Sequence, residues 1–507
     1  MWKFSLEDAY MRFAKILSVA AVPMILLACG DDSTGIPANP SQSQDPVEPP
    51  KDSIKENTPD SLLKPIERDF TQFWQGEGTA AKPFLISNEE DLLKIAFYVN
   101  DSSMTFKDVF FKQTADISLT KAWKPIGIFG QNANGWGNRP FSGTFDGDAK
   151  TISGMTISDT AAYSGLFGLV RGAHISNVIV SGAKMNVGSI GGALAGLADS
   201  VIIENCTVEN AEVKGADRVA GLIGEAKNVT VTNASVTGSV TGTSNVGGIF
   251  GSVLKGTQTN LTNKATVSGK SSVGGVVGES VGECVGEKCD FSVITLAFNY
   301  GAVTGTKDVG GVVAKMSTTK MTQSGNNGAV TASESQIGAV GGVVAVALNK
   351  SSINEVFNTG TVTGTKVQAV GGAIGNMKSI TATNVFNVGE VAGDASSPKG
   401  GIVGIVDGTS DLSFAYNAGK VPQDNNAGTV AGKIISTATV ANVYFDKTVG
   451  DGSKVYGGEP FGVETPTGFA TEEMKSSTFV ATLNGTGRVW TIDPAKFGGY
   501  PSFEWAK

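Results

Sequence analysis

Short runs of alternating apolar and polar residues fill the middle of the chain, and glycine interrupts them every few residues. β-Branched residues hold alternate positions, as in Thr361-Val362-Thr363, and this pattern predicts β-strands. One phrase recurs ten times: Val-Gly-Gly, two aliphatic residues and Gly, then a polar connection, then Asn near Gly-x-Val-x-Gly. Its second glycine stands at Gly165, Gly192, Gly221, Gly248, Gly275, Gly311, Gly342, Gly372, Gly401 and Gly428. The chain is therefore a repeat protein with a period of 27 to 31 residues and one interval of 36.

A period of this length narrows the architecture to a solenoid or another repeat array. Propeller blades need about 40 residues or more and immunoglobulin-like domains about 100, so both are too long. Leucine-rich repeats are the alternative, although the frame here is Val, Ile, Gly, Thr and Asn rather than leucine. Each repeat is long enough for three strands with their turns, which make one coil of a parallel β-helix. The pattern therefore predicts an all-β, right-handed parallel β-helix with capping segments at both ends.

Stacked coils place each residue about 4.8 Å from its counterpart in the next coil, so equivalent positions form columns. Asparagines predict one such column, in which side-chain amides hydrogen-bond to one another or close a turn. Its predicted members are Asn177, Asn205, Asn233, Asn263, Asn299, Asn327, Asn358, Asn387, Asn417 and Asn442. Aromatic residues precede several of these asparagines and predict a second column, directed into the coil. They are Phe298, Phe357, Phe386 and Tyr416.

The N-terminus carries a leader pattern. Arg12 and Lys15 supply a basic start, residues 16–27 form an apolar run too short to span a membrane, and Leu26-Leu27-Ala28-Cys29 follows. This pattern resembles the lipobox of bacterial lipoproteins, in which the cysteine is lipidated and becomes the first residue after cleavage. The resemblance implies a signal peptide over residues 1–28 and lipidation of Cys29. It also implies an extracytoplasmic location at the bacterial outer membrane or cell surface.

Composition divides the rest of the chain. Both Met1 and Met11 are candidates for the start, because acidic residues at positions 7 and 8 are unusual in a leader. The segment over residues 29–68 is rich in Pro, Ser and Asp and has too little apolar surface to fold, so it predicts a disordered tether. The other predicted divisions are an N-terminal cap with the first coils (69–163), the β-helix repeats (164–446) and a C-terminal cap (447–507). Helices are expected over residues 91–99 and 471–483.

Several motifs precede the repeats: Gly78-Thr79, Pro83-Phe84-Leu85-Ile86, Trp123-Lys124-Pro125-Ile126-Gly127 and Phe141-Ser142-Gly143-Thr144-Phe145-Asp146-Gly147. Together with Ser164-Gly165-Leu166-Phe167-Gly168, they resemble bacterial surface proteins that bear the GLUG motif. The resemblance covers residues 76–507 and implies a secreted β-helical architecture. Some GLUG repeats accompany metallopeptidase domains, but this chain has no His-Glu-x-x-His sequence, since its one histidine is His174. That activity is therefore not implied.

Few residues carry candidate chemistry. The net charge of −8 leaves no basic face for phosphate, which argues against nucleic-acid binding, and the scattered acidic residues predict no catalytic residue, metal site or cofactor. Cys284 and Cys289 lie in the longest repeat without further zinc ligands, so in an exported protein they predict a disulfide. Trp136 and Arg139 lie in a polar, Gly-rich loop that has the composition of a sugar-stacking platform. The alternative is a cap loop folded against the first coils.

These observations predict a lipid-anchored surface or periplasmic β-solenoid with an adhesion, scaffolding or glycan-contacting role and no catalytic site. The expected partners are the membrane, through the lipid on Cys29, and a glycan or a surface protein. A polysaccharide-degrading β-helix enzyme, either a lyase or a hydrolase, is the alternative. Such an enzyme would have to gather carboxylates in one groove, because its acid and base must converge on one bond.

Overall fold

The computed structural model describes residues 69–132, 135–159, 163–334, 336–422, 424–435, 438–450, 454–458 and 463–506. Most of these residues lie in strands that stack in parallel into a β-solenoid of about 12 turns. The predicted all-β parallel β-helix is therefore confirmed. Cys29, the predicted signal peptide and the predicted tether lie outside the described residues.

The strands belong to a main parallel sheet, a ten-stranded sheet and three antiparallel pairs. The main parallel sheet contains Phe84–Ile86, Phe110–Gln113, Ile117–Ser118, Thr144–Asp146, Thr151–Ser153, Thr156–Asp159, Phe167–Arg171, His174–Ser176, Ile179–Ser181, Lys184–Val187, Ala195–Asp199, Ile202–Lys214, Ile223–Thr241, Phe250–Asn263, Thr266–Ser268, Val277–Val281, Ser292–Asn299, Val303–Gly305, Val313–Ser317, Thr319–Asn326, Val330–Ser333, Val344–Leu348, Ser352–Asn358, Val362–Thr365, Ile374–Lys378, Thr381–Asn387, Val391–Gly393, Val403–Asp407, Asp411–Asn417, Ala431–Ile434, Thr439–Asp446 and Thr467–Phe469. A ten-stranded sheet contains Tyr163–Ser164, Ile190–Gly191, Asp217–Ala220, Ser244–Gly247, Ser271–Gly274, Lys307–Gly310, Ala339–Gly341, Ala369–Gly371, Lys399–Gly400 and Ala427–Gly428. Three antiparallel pairs are Gln131–Asn132 with Gly135–Trp136, Glu283–Val285 with Lys288–Asp290, and Trp490–Ile492 with Pro501–Phe503.

A coil in the middle of the solenoid shows how the repeat folds. It has four strand segments rather than the expected three: Lys307–Gly310, Val313–Ser317, Thr319–Asn326 and Val330–Ser333. One corner lies at Gly311, where a Cβ atom would stand 1.9 Å from the carbonyl oxygen of Gly342 in the next coil. Because only glycine allows this approach, the glycine pair of the repeat produces a sharp corner.

Aliphatic columns fill the interior of the coils. Val273, Val309 and Val340 pair in register in successive coils and are fully buried, which stabilises the fold by roughly 1.5–3 kcal/mol for each side chain. Lys399 takes the equivalent place further along the column. Its ammonium group lies 2.9 Å from the carboxylate of Asp424 and donates to backbone carbonyls, so the buried charge is paired.

The asparagines form two columns, so the predicted single column is wrong. The first column is buried and contains Asn263, Asn299, Asn326, Asn358, Asn387 and Asn417. Nδ2-to-Oδ1 hydrogen bonds of 2.8–2.9 Å join its successive members. Each Nδ2 also donates to the backbone carbonyl two residues further on, as from Asn358 to Gly360 at 2.7 Å. The amides therefore satisfy both one another and a buried turn.

The second column lies at the surface, at a corner where the backbone is left-handed. Its members include Asn177, Asn205, Asn233, Asn260, Asn384 and Asn442, with φ between 53° and 58°. Asparagine suits this place because its short polar side chain tolerates positive φ. The predicted column mixed the two sets because Asn260, at the corner, and Asn263, at the end of the strand segment that follows the corner, stand only three residues apart in one coil. Asn327 belongs to neither column, since Asn326 holds the buried place.

The aromatic column points outward, so its predicted inward direction is wrong. Val356 and Asn358 are directed into the coil, and the period-two alternation along the strand turns Phe357, between them, to the outside. Phe357 is nevertheless buried. The C-terminal part of the chain covers it from outside.

Helices occur at both ends of the described region. The first, Glu89–Asn100, begins at Asn88, whose side chain accepts a 3.0 Å hydrogen bond from the Asp91 amide, and it confirms the expected helix. Near the C-terminus the single expected helix is divided into Thr471–Met474 and Ser477–Asn484, followed by the 3₁₀ turn Phe497–Gly499. The division arises at Ser476, which caps the second helix by accepting a hydrogen bond from the Phe479 amide.

Candidate functional site

Aromatic side chains occupy one outer face of the later coils. Here the aromatic row means the residues that pair in register on this face: Phe298, Gly325, Phe357, Phe386, Tyr416 and Tyr444. The rings of Phe357 and Phe386 stack at 5.4 Å and those of Phe386 and Tyr416 at 5.2 Å, nearly parallel in both cases. The spacing follows from the coil repeat, so these three rings form a continuous apolar surface.

Residues 463–506, called the C-terminal segment below, fold back over this row. Trp490 lies 5.9 Å from Phe386 and 5.7 Å from Tyr416, and Phe503 lies 5.2 Å from Phe386. The hydroxyl group of Tyr416 donates to the backbone carbonyl of Pro501. Burial raises the pKa of this phenol well above its usual value, so it remains a donor at all physiological pH values.

The C-terminal segment does not fully cover the row near Phe298, and it leaves an aromatic groove with a volume of about 690 Å³. Its lining residues come from four successive coils and from the C-terminal segment: Leu296, Phe298, Tyr300, Asn327, Phe357, Thr359, Val388, Lys496, Phe497, Gly498, Trp505 and Ala506. This volume is within the range of about 300–1,000 Å³ that is usual for small-ligand sites. Tyr300 is 51% exposed and is therefore accessible to a ligand.

Two departures from the repeat open the groove. Gly325 is the member of the aromatic row without a side chain, and a Cβ atom there would stand 2.3 Å from Cζ of Phe357, which leans into the space. Leu296 occupies the left-handed corner column, with a φ of 55°, where neighbouring coils have Asn260 and Gln323. A left-handed conformation costs a leucine about 1–2 kcal/mol, because Cβ approaches the following carbonyl oxygen. The backbone of Leu296 is therefore strained at the position where its apolar side chain lines the groove.

Polar groups form one strip of the groove. Tyr300, Asn327 and Thr359 stand at equivalent places in three successive coils, since the amides of Asn327 and Thr359 each donate to the buried asparagine of the preceding coil. The Thr359 hydroxyl group donates a 2.9 Å hydrogen bond to Oδ1 of Asn327. This bond orients the exposed Asn327 amide, whose Nδ2 makes no hydrogen bond to the described residues. Lys496 is the charged lining residue, and its ammonium group lies 3.8 Å from Asp493.

Trp505 forms a wall of the groove. Its ring stacks on Phe503 at 5.2 Å and its Nε1 donates a 2.6 Å hydrogen bond to Glu355. Beyond this wall is a second depression of about 540 Å³, lined by Gln323, Glu355, Arg488, Val489, Glu504 and Trp505. An apolar groove and a charged depression therefore share one fixed indole ring.

The loop that the sequence singled out does not present its arginine to solvent. Arg139 is 5% exposed, and its backbone pairs with Ile128. The backbone of Trp136 pairs with Gln131, and its side chain lies outside the described part of the chain. A ligand would not reach Arg139 in this arrangement, so Arg139 does not form part of an open platform.

Cys284 and Cys289 are joined by a disulfide across a projecting hairpin. Lys255 holds the base of the hairpin against the preceding coil through Glu283, at 3.0 Å, and Asp290, at 3.7 Å. The third described cysteine, Cys206, is buried, and burial raises the pKa of its thiol to about 12. It is therefore unreactive as a nucleophile or metal ligand.

Carboxylates that approach a catalytic arrangement are few in the described region. Burial raises the pKa of Asp308, which lies beside Lys307, Lys315 and Glu279, and Glu279 pairs with Lys315 at 3.3 Å. Over the described ranges, no three His, Cys, Asp or Glu side chains converge so that they could hold a metal ion. No helix among the described residues combines the length and apolar character needed to cross a membrane.

Sequence reasoning did not identify the aromatic groove. The groove depends on Trp505 meeting Leu296 and Phe298, which are distant in sequence, and no local pattern predicts this contact. Two signals were present: Leu296 interrupts a column of polar residues, and Gly325 interrupts the aromatic row. Both become visible only after the coils are aligned in the register that the structure provides.

Comparisons with known proteins place few constraints on identity. No protein-family model matches the chain. A stretch of 180 residues, 34% of the chain, is 31% identical to halomucin from Haloquadratum walsbyi, and it spans 2% of the length of that protein. A crystal structure of a proposed immunoglobulin A1 protease from Bacteroides ovatus matches 85% of this chain and 95% of its own, with 18% identity and a TM-score of 0.32. The resemblance to GLUG-motif proteins therefore stays a prediction.

Proposed function

We propose that this protein is a lipid-anchored, extracytoplasmic β-solenoid that contacts glycans through the aromatic groove, in an adhesion or scaffolding role. One observation carries the proposal: the exposed ring of Tyr300 and the fixed ring of Trp505 border a groove that also contains the Asn327 amide. Aromatic faces pack against the C–H faces of sugar rings, and a few placed polar groups orient the ligand. The groove has both components.

Repetition supports a role in contact with an extended partner. Threonines project from one outer strand of successive coils, as Thr259, Thr295 and Thr322 do in register. Similar groups at regular spacing favour weak contacts that add up along a polymer. The groove would then act as one stronger site on a surface with many weak ones.

The proposed anchor rests on the sequence. The lipobox-like Leu26-Leu27-Ala28-Cys29 supports attachment to the outer membrane or cell surface, and the Pro-rich residues 29–68 support a tether that holds the solenoid away from the lipid. The GLUG resemblance and the disulfide between Cys284 and Cys289 agree with an exported protein.

Retention on insoluble polysaccharides and on partner cells tests the proposal. We expect wild-type protein to be retained and Tyr300→Ala to be retained at least fivefold less, because the exposed ring contributes to binding and little to the fold. Ile202→Ala is the matched control, since Ile202 is an exposed apolar residue, 48% accessible, on an earlier coil. Absence of retention on every glycan, or equal retention of wild type and Tyr300→Ala, would overturn the proposal.

A polysaccharide-degrading enzyme is the second candidate, and the raised pKa of Asp308 beside Glu279 is the observation that favours it. The purified protein should release reducing ends or unsaturated products if this candidate is right. Glu279→Gln and Asp308→Asn should then each abolish release, while Tyr300→Ala should only weaken it. We expect no release from any of the three or from wild type.

A further inference from the structure

We infer that the aromatic groove selects sugars that carry a 2-acetamido group, as N-acetylhexosamine units do. This inference rests on the proposed glycan-binding function and specifies its ligand. The relevant features are the apolar lining, the unpaired amide donor of Asn327, the charge of Lys496 offset by Asp493, and the leucine at position 296.

The lining has few polar groups for a plain hexose. Its side chains are predominantly aromatic or aliphatic, and the polar ones are Asn327, Thr359 and Lys496, besides the phenol of Tyr300. A hexose presents hydroxyl groups around its ring, and each one that loses water without gaining a partner weakens binding. An acetamido group replaces one hydroxyl group by a methyl group, a carbonyl and an N–H. A groove that combines a large apolar wall with one amide donor therefore suits an acetamido sugar better.

Asn327 supplies the donor for the acetamido carbonyl. The hydrogen bond from Thr359 occupies Oδ1 of Asn327, so its Nδ2 has both hydrogens free for a ligand. Leu296 and Phe298 lie on the preceding coil, and Phe298 stands in register with Gly325, two residues before Asn327. The methyl group of the ligand would lie against this apolar pair while its carbonyl accepts from Asn327.

The charges in the groove favour an uncharged ligand. Lys496 is its charged lining residue, and Asp493 lies 3.8 Å from the ammonium group. Because this carboxylate offsets the positive charge of Lys496, the groove has no unpaired positive charge that would bind an anionic sugar. The acidic groups Glu355 and Glu504 lie beyond the Trp505 wall, in the second depression, and would repel one.

A substitution of Leu296 distinguishes a role in ligand binding from a role in packing alone. Asparagine or glutamine would hold the left-handed corner with less strain, as Asn260 does in the preceding coil. Leu296→Asn should therefore keep or raise the denaturation midpoint while removing the apolar wall. If the leucine served only packing, the variant would lose stability and keep any sugar preference.

Calorimetric titration with matched oligosaccharides tests the selectivity. The ligands are β-1,4-linked N-acetylglucosamine oligomers, the same oligomers after removal of the acetyl groups, glucose oligomers of equal length, and N-acetylgalactosamine glycopeptides. We expect at least tenfold tighter binding to an acetylated ligand than to its deacetylated or glucose counterpart. The two acetylated arms separate a chitin-like or peptidoglycan-like source from a mucin-like one, and preference for either supports the inference.

Variants complete the test. Leu296→Asn and Asn327→Leu should each reduce the acetamido preference to less than threefold. Phe414→Asn, at the equivalent corner of a later coil with a φ of 51°, is the matched control and should leave the preference intact. Equal binding of acetylated and glucose oligomers would overturn the inference and leave the proposed function standing, whereas failure of every glycan to bind would overturn both. An unchanged preference in Leu296→Asn would also overturn the inference.

Discussion

The indole Nε1 of Trp505 donates a 2.6 Å hydrogen bond to the carboxylate of Glu355, across 150 residues of sequence. The same carboxylate accepts from Asn354 at 3.1 Å and lies 3.4 Å from the amide of Gln323. This bond fixes the C-terminal segment on a coil from the middle of the repeats. It also sets the position of the ring that separates the aromatic groove from the charged depression.

Trp505→Phe should loosen the end of the C-terminal segment. Phenylalanine keeps an aromatic ring against Phe503 but cannot donate to Glu355, and a hydrogen bond to a charged group contributes about 1.5–3 kcal/mol. Limited proteolysis should therefore cut near the C-terminus faster than in wild type. Trp490→Phe is the control, because Trp490 donates a longer, 3.2 Å bond to the neutral side chain of Asn384. Equal cleavage rates for wild type and Trp505→Phe would contradict the prediction.

Asn358→Ala should destabilise the solenoid by about 1–3 kcal/mol, because it leaves Asn326, Asn387 and the carbonyl of Gly360 without their buried partner. Asn233→Gly is the comparison at the exposed column, where glycine adopts the positive φ without strain. Urea denaturation monitored by circular dichroism should give a lower midpoint for Asn358→Ala. If both variants unfold at the same midpoint, the buried column does not stabilise the fold.

Asp308→Asn should raise the urea midpoint at neutral pH. Burial raises the pKa of Asp308 above its ordinary 3.8, so ionisation costs folding free energy as the pH rises above that value. Asparagine can still accept the hydrogen bond from the Ala339 amide and carries no charge. The difference between variant and wild type should therefore vanish below about pH 3.8, where Asp308 is protonated in both the folded and the unfolded chain. A pH-independent difference would refute this explanation.

Reduction of the Cys284–Cys289 disulfide should change the free energy of unfolding by about 2 kcal/mol at most, because the bridged residues are five apart and close a short loop. Peptide mapping after native reduction and alkylation should find label on both cysteines and none on Cys206, whose thiol is buried. Label on Cys284 and Cys289 before reduction would indicate that the protein lacks the bridge.

Cys29→Ser should abolish lipidation, because the lipid forms a thioether with the cysteine sulfur that serine does not have. Metabolic labelling with a fatty acid should mark the wild type and the Cys206→Ser control but not this variant. The variant should also accumulate as uncleaved precursor. Equal label in wild type and Cys29→Ser would end the lipoprotein hypothesis.

The repeating features of the fold could be predicted from the sequence, and the irregular ones could not. The spacing of glycines such as Gly311 predicts the coil because the same backbone approach recurs in each repeat. The column of Asn326 could not be separated from that of Asn260, since both carry the same residue type and only the structure shows that Asn326 is buried while Asn260 lies at an exposed corner. The predicted direction of the Phe357 side chain is wrong for a related reason. Period-two alternation shows that neighbouring side chains face opposite ways, but it does not show which of them faces inward.

The candidate site depends on contacts that no repeat pattern contains. Trp505 reaches Phe298 and Phe357, and the position of the C-terminal segment follows from the apolar row that it covers. The sequence predicts the row of aromatic residues, but rings directed into the coil would need no other segment to cover them. The sequence therefore does not predict the groove, because the predicted direction of the aromatic side chains is wrong.

The C-terminal segment changes how the solenoid would respond to a pulling force. In a plain array each coil contacts only its neighbours, so coils at the free end can peel away singly. Here Phe479 packs on Tyr444, Trp490 on Tyr416 and Trp505 on Phe298, which fastens several coils together from outside. We expect these coils to rupture as a block under tension rather than one at a time. In the proposed adhesion role, this block would resist shear between a cell and its partner surface.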